Sequence, residues 1–264
     1  MTDMGPTQAE AKTQKVGVTA ADYDNAHAGL HASPLMRELW AQAMGDQYPA
    51  EVEPFSACSW WLLGNAVAAL RLRPDGRLVD LGCGRGGPGL WLTRALSARL
   101  VGIDFSPVAV DLAAIRAARF VAPGRAEFRL GTFDGTGLPD GYADGVLSMD
   151  ALQFAKDRVA ALREVRRILA PAGRAVVTVR QRPAGADDWP TMAASAGLDV
   201  EQSLVYPDYD EYWRRLYALW TEHEQRLRPE LGDAATDNLM REVALAGTVD
   251  NPPTVLMVVL RHSG

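Results

Sequence analysis

The stretch Leu78-Val79-Asp80-Leu81-Gly82-Cys83-Gly84-Arg85-Gly86-Gly87 constrains the fold of this chain more than any other. An apolar run ends in an acid, and glycines then fall at 82, 84, 86 and 87. Pro88 follows, and Leu90, Trp91, Leu92 and Ala95 carry a helical pattern. The reading is strand, tight turn, helix. Glycine suits such a turn because its backbone takes positive φ and no Cβ holds a ligand away. Proline suits the first helical position, where no N–H is needed.

The string Gly82-x-Gly84-x-x-Gly87 also fits the dinucleotide-binding fingerprint, so taken alone it has two readings. Two neighbouring acids separate them. Asp80 closes the first strand, where a dehydrogenase usually carries a small apolar residue. A second strand, Leu100-Val101-Gly102-Ile103, ends in Asp104, about 20 residues after the turn; a carboxylate at that spacing accepts both hydroxyls of a ribose. An NAD(P)-dependent oxidoreductase also predicts a strand close to the N-terminus and, in the short-chain type, a Tyr-x-x-x-Lys pair. Here the first strand begins near residue 77, and Lys156 has Leu152 four positions before it.

Strands and helices alternate from Arg77 to about Arg182, which predicts a parallel sheet covered on both faces. Strands read at 77–81, 99–104, 126–130, 144–149, 174–180 and 198–205, with a last buried strand at 254–260. Helices read at 88–96, 107–119, 158–169 and 189–196, with Pro171-Ala172-Gly173 as the turn that stops the third. Before the sheet, residues 1–17 form a polar tail without periodicity, and 18–75 form a helical cap. Ser33-Pro34 starts one cap helix, Tyr48-Pro49 breaks it, and a second helix runs from Trp60 to Leu72. Residues 76–207 make the core, 208–247 a helical lid, and 248–264 the return of the core.

Several blocks together resemble the class I S-adenosylmethionine (SAM)-dependent methyltransferases. Asp80, the glycine turn and Asp104 look like that family's first motif and the acid that follows it. Leu138-Pro139-Asp140-Gly141-Tyr142-Ala143-Asp144-Gly145-Val146 looks like its entry to strand four. Ala161 to Arg174, with Glu164, Arg167 and Gly173, looks like the block before strand five. The resemblance implies a Rossmann-like, seven-stranded, mostly parallel α/β sheet with helices on both faces and an antiparallel last strand. Within the family, the chain is similar to bacterial small-molecule enzymes of ubiquinone/menaquinone and natural-product type, which place helical segments over the substrate. The sequence departs from the family after strand three, where Gly131-Thr132 replaces Gly-Asp, and after strand four, where no histidine follows Ser148-Met149-Asp150.

The resemblance implies SAM as cofactor and S-adenosyl-L-homocysteine as its product. SAM is net cationic, and a turn flanked by acids suits it. Asp104 is expected on the ribose, with backbone from Gly82, Cys83, Gly84 and Gly86, and with Asp80 orienting the turn or facing the amino group. Phe105, Thr132, Phe133, Asp134 and Asp150 complete the cofactor set. Candidate bases are His27, His31 and His223, with Tyr23, Glu51, Asp150 and Gln153 as orienters. His27 and His31 share a helix face, but two histidines do not complete a metal site, and no metal is expected.

Trp60, Gln153, Tyr209 and Trp213 are the expected acceptor contacts. Tyr209, Trp213, Leu216 and Trp220 form a stripe that reads either as core or as a platform for a flat ring. The loop from Tyr48 to Trp61 reads as a cap over SAM. The expected activity is methyl transfer to oxygen or nitrogen of a small-molecule acceptor, an aromatic or polycyclic secondary metabolite. A methyltransferase-fold cyclase, or a SAM-binding protein without transfer, is the other reading.

Composition bears on partners. A net charge of −6 argues against nucleic acid, which needs clustered basic residues. Cys58 and Cys83 form neither a disulfide framework nor a zinc site. No signal-peptide pattern and no membrane-spanning apolar run is visible, so the expectation is a cytoplasmic protein with no membrane partner.

Overall fold

The computed structural model describes Asp24, Gly29 and residues 32–181, 188–247 and 252–263. Seven strands form one sheet: β1 (Arg77–Leu81), β2 (Arg99–Asp104), β3 (Ala126–Leu130), β4 (Ala143–Ser148), β5 (Leu169–Gln181), β6 (Leu198–Val205) and β7 (Thr254–His262). Their order is β3-β2-β1-β4-β5-β7-β6. The first five strands pair in parallel, and β7 runs antiparallel to both β5 and β6. This is the Rossmann-like sheet expected from the sequence. Strand order reverses between β1 and β4, and ligands of open α/β sheets bind in the crevice at such a reversal.

Strand side chains alternate between two apolar layers. Leu78, Leu100, Leu147 and Val176 enter one layer, while Val79, Val101, Val146 and Val177 enter the other. Both faces are therefore buried, which is why the strands read as continuous apolar runs. Helices α1 (Pro34–Met44), α2 (Trp60–Leu70) and α3 (Gly87–Leu96) pack into the first layer. Helices α5 (Arg158–Ile168) and α6 (Trp189–Ser195) pack into the second. Helix α4 (Pro107–Ala117) lies beside β2 and β3.

Two helix ends differ from the sequence reading. Helix α1 stops at Met44 because Gly45 takes φ 56°; a short turn at Gly45–Gln47 follows, so the break precedes Tyr48-Pro49. Helix α5 stops at Ile168, before the Pro171-Ala172-Gly173 stretch. The backbone is already extended at Leu169, which pairs with Ala143, so these residues belong to an irregular start of β5 and not to a turn. Proline is tolerated there because the ladder shifts register between Ala143 and Gly145.

The 208–247 segment folds as α7 (Tyr209–Glu222), α8 (Glu224–Leu231) and α9 (Asp233–Ala246). Tyr209, Tyr212, Leu216 and Trp220 are buried in α7, within the same apolar layer as α1 and the sheet. Trp213 meets Trp40 edge-on at 5.2 Å, and the Trp220 N–H points at Met36 Sδ at 3.2 Å. The aromatic stripe is thus mainly core, with Trp213 half-buried at its margin. Among the described residues, no helix is long and apolar enough to cross a membrane.

Candidate active site

Gly82, Gly84 and Gly86 all take positive φ, at 71°, 51° and 74°. The N–H groups of Gly82 and Cys83 donate to the Ile103 carbonyl at 2.8 and 3.1 Å, holding the turn against the end of β2. A Cβ at Gly82 would lie 2.5 Å from the Ala151 Cβ and 3.1 Å from the Phe133 ring. The loops after β1, β3 and β4 therefore meet at one point, in the crevice where strand order reverses.

Asp104 is buried and already ordered by backbone. Its Oδ2 accepts from Gly84 N at 2.8 Å, and its Oδ1 from Ser106 N at 3.0 Å. An ionised carboxylate has about four lone-pair sites, so two such bonds leave capacity for a pair of hydroxyls. Burial pushes its pKa up against those hydrogen bonds. Asp80 is buried under α3 and accepts from the Gly89 N–H; burial first and Asp104 second push it up to about 7. A Cβ at Gly89 would sit 2.5 Å from Asp80 Oδ2. Ser106 Oγ also donates to Asp24, a third carboxylate facing Asp104. Among the described residues, no basic side chain pairs with Asp80 or Asp104. Burial and mutual repulsion resist ionisation of these acids, and a cation bound at the turn would favour their charged forms.

The other expected cofactor residues surround the same crevice. Phe105 is 41% exposed beside Asp104. Gly131 N donates to the Asp104 carbonyl at 3.0 Å, which brings the 131–135 turn alongside. In that turn the exposed Thr132 hydroxyl donates to Asp134 at 2.7 Å.

The loop before α2 fastens to the outer side of the turn. Arg116 Nη2 donates to the Val52 carbonyl at 2.8 Å and Nη1 to the Arg85 carbonyl at 2.9 Å, while Arg85 Nη2 donates to the Glu53 carbonyl at 3.1 Å. A Cβ at Gly87 would lie 2.3 Å from Val52 O, so that contact requires glycine. Glu51 and Trp60 are turned toward α3: Glu51 accepts from Trp91 and Arg94, and Trp60 meets Trp91 edge-on at 5.4 Å. The sequence reading missed the two arginines. Nothing in local pattern separates a buried arginine from a solvated one.

A second cluster lies on the other side of Ala151. Asp150 takes φ 52°, and its N–H donates to Thr178 Oγ1 at 2.6 Å. Its Oδ1 accepts from the Tyr209 hydroxyl at 3.3 Å, and that hydroxyl accepts from Arg180 Nη2 at 3.3 Å. Gln153 Nε2 donates to the Asp150 carbonyl at 3.3 Å. Three buried polar atoms here complete no hydrogen bond of good geometry, Asp150 Oδ2, Gln153 Oε1 and Arg180 Nε, and the Trp213 N–H faces the Tyr209 hydroxyl. Native interiors leave few such atoms, so a set of them in one place calls for a partner. Gln153, Tyr209 and Trp213 were expected as acceptor contacts; Asp150 was expected among the cofactor residues, and its bonds to Thr178, Gln153 and Tyr209 place it in this cluster instead, while Thr178 and Arg180 were not expected. The available signal was their position at the C-terminal end of a parallel strand, where α/β folds present functional groups.

Among the described residues, the candidate base His223 does not join this cluster. His27 and His31, with Tyr23, lie outside the described residues. His223 follows the last residue of α7, about 20 Å along the helix axis from Tyr209 at 1.5 Å per residue. His262 Nε2 donates to the Leu169 carbonyl at 2.7 Å, near the start of β5 and away from the crevice. Among the described residues, no group of three or more histidine, cysteine or acidic side chains could hold a metal ion.

Comparison with known proteins agrees with the fold. Residues 79–177 match the methyltransferase domain family. That stretch, from β1 into β5, is a methyltransferase domain. It is 26% identical over 172 residues to 27-O-demethylrifamycin SV methyltransferase of Amycolatopsis mediterranei, covering 65% of this chain and 60% of that one. It is 32% identical over 115 residues to the ubiquinone/menaquinone biosynthesis C-methyltransferase UbiE of Geobacter sulfurreducens, covering 43% of this chain and 45% of the relative. The chain therefore spans about three fifths or less of these relatives. Among solved structures, the 4+2-cyclase SpnF superposes with a TM-score of 0.73 at 20% identity, covering 94% of this chain and 98% of that one. Cyclopropane synthase MmaA2 of Mycobacterium tuberculosis superposes with a TM-score of 0.67 at 14% identity, covering 94% and 99%. At those identities the likeness establishes the fold.

SAM is the cofactor of this domain family, and the described residues fit it. Acids gathered at the turn, Asp80 and Asp104 having no basic partner among the described residues, complement a net cation. The positive-φ glycines present backbone without Cβ, as a nucleoside lying against the turn requires.

Proposed function

We propose that this chain transfers the methyl group of SAM to a small-molecule acceptor with an aromatic or polycyclic body. The observation that carries the reading is the contact of Gly82 with Ala151, which sets the acid-flanked turn directly against the unsatisfied polar cluster roofed by Tyr209 and Trp213. The names of the sequence relatives, which refer to rifamycin, ubiquinone/menaquinone and tocopherol, support an acceptor of that kind. Asp104 would hold the ribose hydroxyls, the backbone of Gly82, Cys83, Gly84 and Gly86 would line the cofactor, and Asp80 would face its amino group. Phe105, Thr132, Phe133 and Asp134 would flank the adenine, with Thr132 or Asp134 taking the place of the family's usual acid.

When bound, SAM supplies an electrophilic methyl on a positively charged sulfur. The protein's part is alignment of the acceptor and exclusion of water from the displacement. The aromatic wall gives a flat acceptor contact area at little entropic cost.

Incubation with SAM and a panel of phenols, enols and aryl amines, read by mass spectrometry, tests this. Formation of S-adenosylhomocysteine together with an acceptor one methyl heavier is expected. SAM binding with no transfer to any acceptor would overturn the reading in favour of a methyltransferase-fold cyclase or binding protein.

A further inference from the structure

We propose that Asp150 is the proton acceptor for a neutral hydroxyl on the methyl acceptor, so that the chain is an O-methyltransferase for phenol- or enol-type substrates. This rests on the methyl-transfer reading above. Three observations lead to it.

Asp150 is held in one orientation. Its backbone takes φ 52°, a conformation that costs a non-glycine residue free energy and that Asp and Asn tolerate best. The Thr178 hydroxyl accepts its N–H, Gln153 holds its carbonyl, and Tyr209 donates to Oδ1. The remaining oxygen, Oδ2, has no hydrogen-bond partner although it is buried. The Ser56 hydroxyl and Ala57 N–H face the carboxylate from the loop before α2, yet neither completes a bond of good geometry to Oδ2. An oriented carboxylate with one vacant oxygen is what a substrate O–H needs.

The surrounding charges choose between hydroxyl and amine. Arg180 projects from β5 beside the carboxylate, bonded to it through the Tyr209 hydroxyl. A cationic ammonium acceptor would lie next to that guanidinium and next to the sulfonium, two like charges in a poorly hydrated place. A neutral amine needs no base at all. A neutral hydroxyl meets neither objection. It donates to Oδ2 and needs to lose its proton.

The step balances. As the acceptor oxygen bonds to the methyl carbon, its proton passes to Asp150 Oδ2. The carbon–sulfur bond breaks with its electron pair left on sulfur, giving a neutral thioether, and the proton on Asp150 later returns to water. The groups facing Asp150 are Arg180 from β5, Tyr209 from α7, Tyr206 from the β6–α7 connection, and Cys58 from the loop before α2. Burial pushes the Asp150 carboxyl up, and Arg180 and the Tyr209 hydrogen bond oppose that rise without cancelling it, which suits a group that must take a proton.

The substitution Asp150→Asn tests the assignment, because asparagine tolerates the same backbone conformation and removes the charge alone. The probes are a hydroxycoumarin, its methoxy analogue and the matching aminocoumarin, together with naphthols and aryl amines. Wild-type protein is expected to methylate the hydroxyl probes. D150N should lower kcat roughly 10²-fold or more, the range for a lost general base, with SAM affinity unchanged in calorimetry. Calorimetry on protein loaded with S-adenosylhomocysteine gives a readout without turnover. D150N should weaken the hydroxycoumarin roughly 10- to 100-fold and leave the methoxycoumarin unchanged, as loss of a hydrogen bond to a charged group requires.

Tyr209→Phe is the second variant. Losing a donor to the carboxylate should move the acid limb of the kcat–pH profile to higher pH. Full activity of D150N would overturn the proposal. So would methylation of amines alone, or equal weakening of the hydroxyl and methoxy probes. Transfer to neither class would overturn the methyl-transfer reading as well, which separates the two failures.

Discussion

Asp104 and Asp80 are both buried acids at the glycine turn, and their hydrogen bonds give them different tests. Asp104 bonds to Gly84 N and Ser106 N, so it shapes the turn as well as offering lone pairs to a ribose. Asp104→Ala should weaken SAM binding by about 1.5–3 kcal/mol, the worth of hydrogen bonds to a charged group, as calorimetry would show. Unchanged affinity would remove the ribose assignment. Asp80 should make the protein pH-sensitive. Its carboxyl, raised from 3.8 to about 7, keeps a proton in the folded state that the unfolded chain has already released. Stability therefore falls as pH rises through that window, while affinity for a cationic cofactor increases toward its upper end. Denaturant melts and calorimetry across the window should show both trends in the wild type, and Asp80→Asn should flatten both.

At the scale of elements, Glu164 shows what one sequence block does. Burial pushes its carboxyl up, but the Arg167 guanidinium and the N–H and hydroxyl of Thr136 outweigh that and hold it at about 2. Arg167 also reaches Asp140, so α5 is tied to the loop that enters β4. Glu164→Gln should cost about 1.5–3 kcal/mol in denaturant melts at neutral pH. Because the folded pKa is depressed, the contribution is complete above 4.5 and disappears as pH falls toward about 2, so wild type and variant should converge there. The same elements show what a sequence reading captures. Strand positions were legible because two-sided burial writes an apolar run into each strand, and Asp80, the glycines and Asp104 were legible because their spacing is set by one strand–turn–helix unit. Arg85, Arg116, Thr178 and Arg180 were not, because each acts on residues far away in the chain: Arg116 reaches Val52, and Arg180 reaches Tyr209. The end of α1 was misplaced because proline is the louder stop signal, while Gly45 supplies the positive φ that ends the helix.

Over the whole molecule, the question is whether the 18–75 cap and the 208–247 lid are separate from the sheet. The packing answers for one cooperative unit. Trp220 is 1% exposed and sits with Met36, Leu39 and Leu216 in the apolar layer that continues through Leu78 and Val176 into the sheet. Tyr206, between β6 and α7, stacks on Trp61 at 5.2 Å and donates to Ser59 at 2.7 Å, joining the two helical segments to the edge of the sheet. Trp220→Ala should therefore cost about 3–5 kcal/mol, the range for emptying a buried aromatic site. In a chain of this size that lowers Tm by roughly 6–20 °C. One transition should be seen by tryptophan fluorescence, which reports the aromatic layer, and by far-ultraviolet circular dichroism, which reports the sheet and helices. Coincident curves would mean that acceptor selectivity cannot be removed by deleting residues 208–247 without unfolding the cofactor site. Two separate transitions, with only the first shifted, would show a detachable lid and would make that deletion a usable route to a core that binds SAM alone.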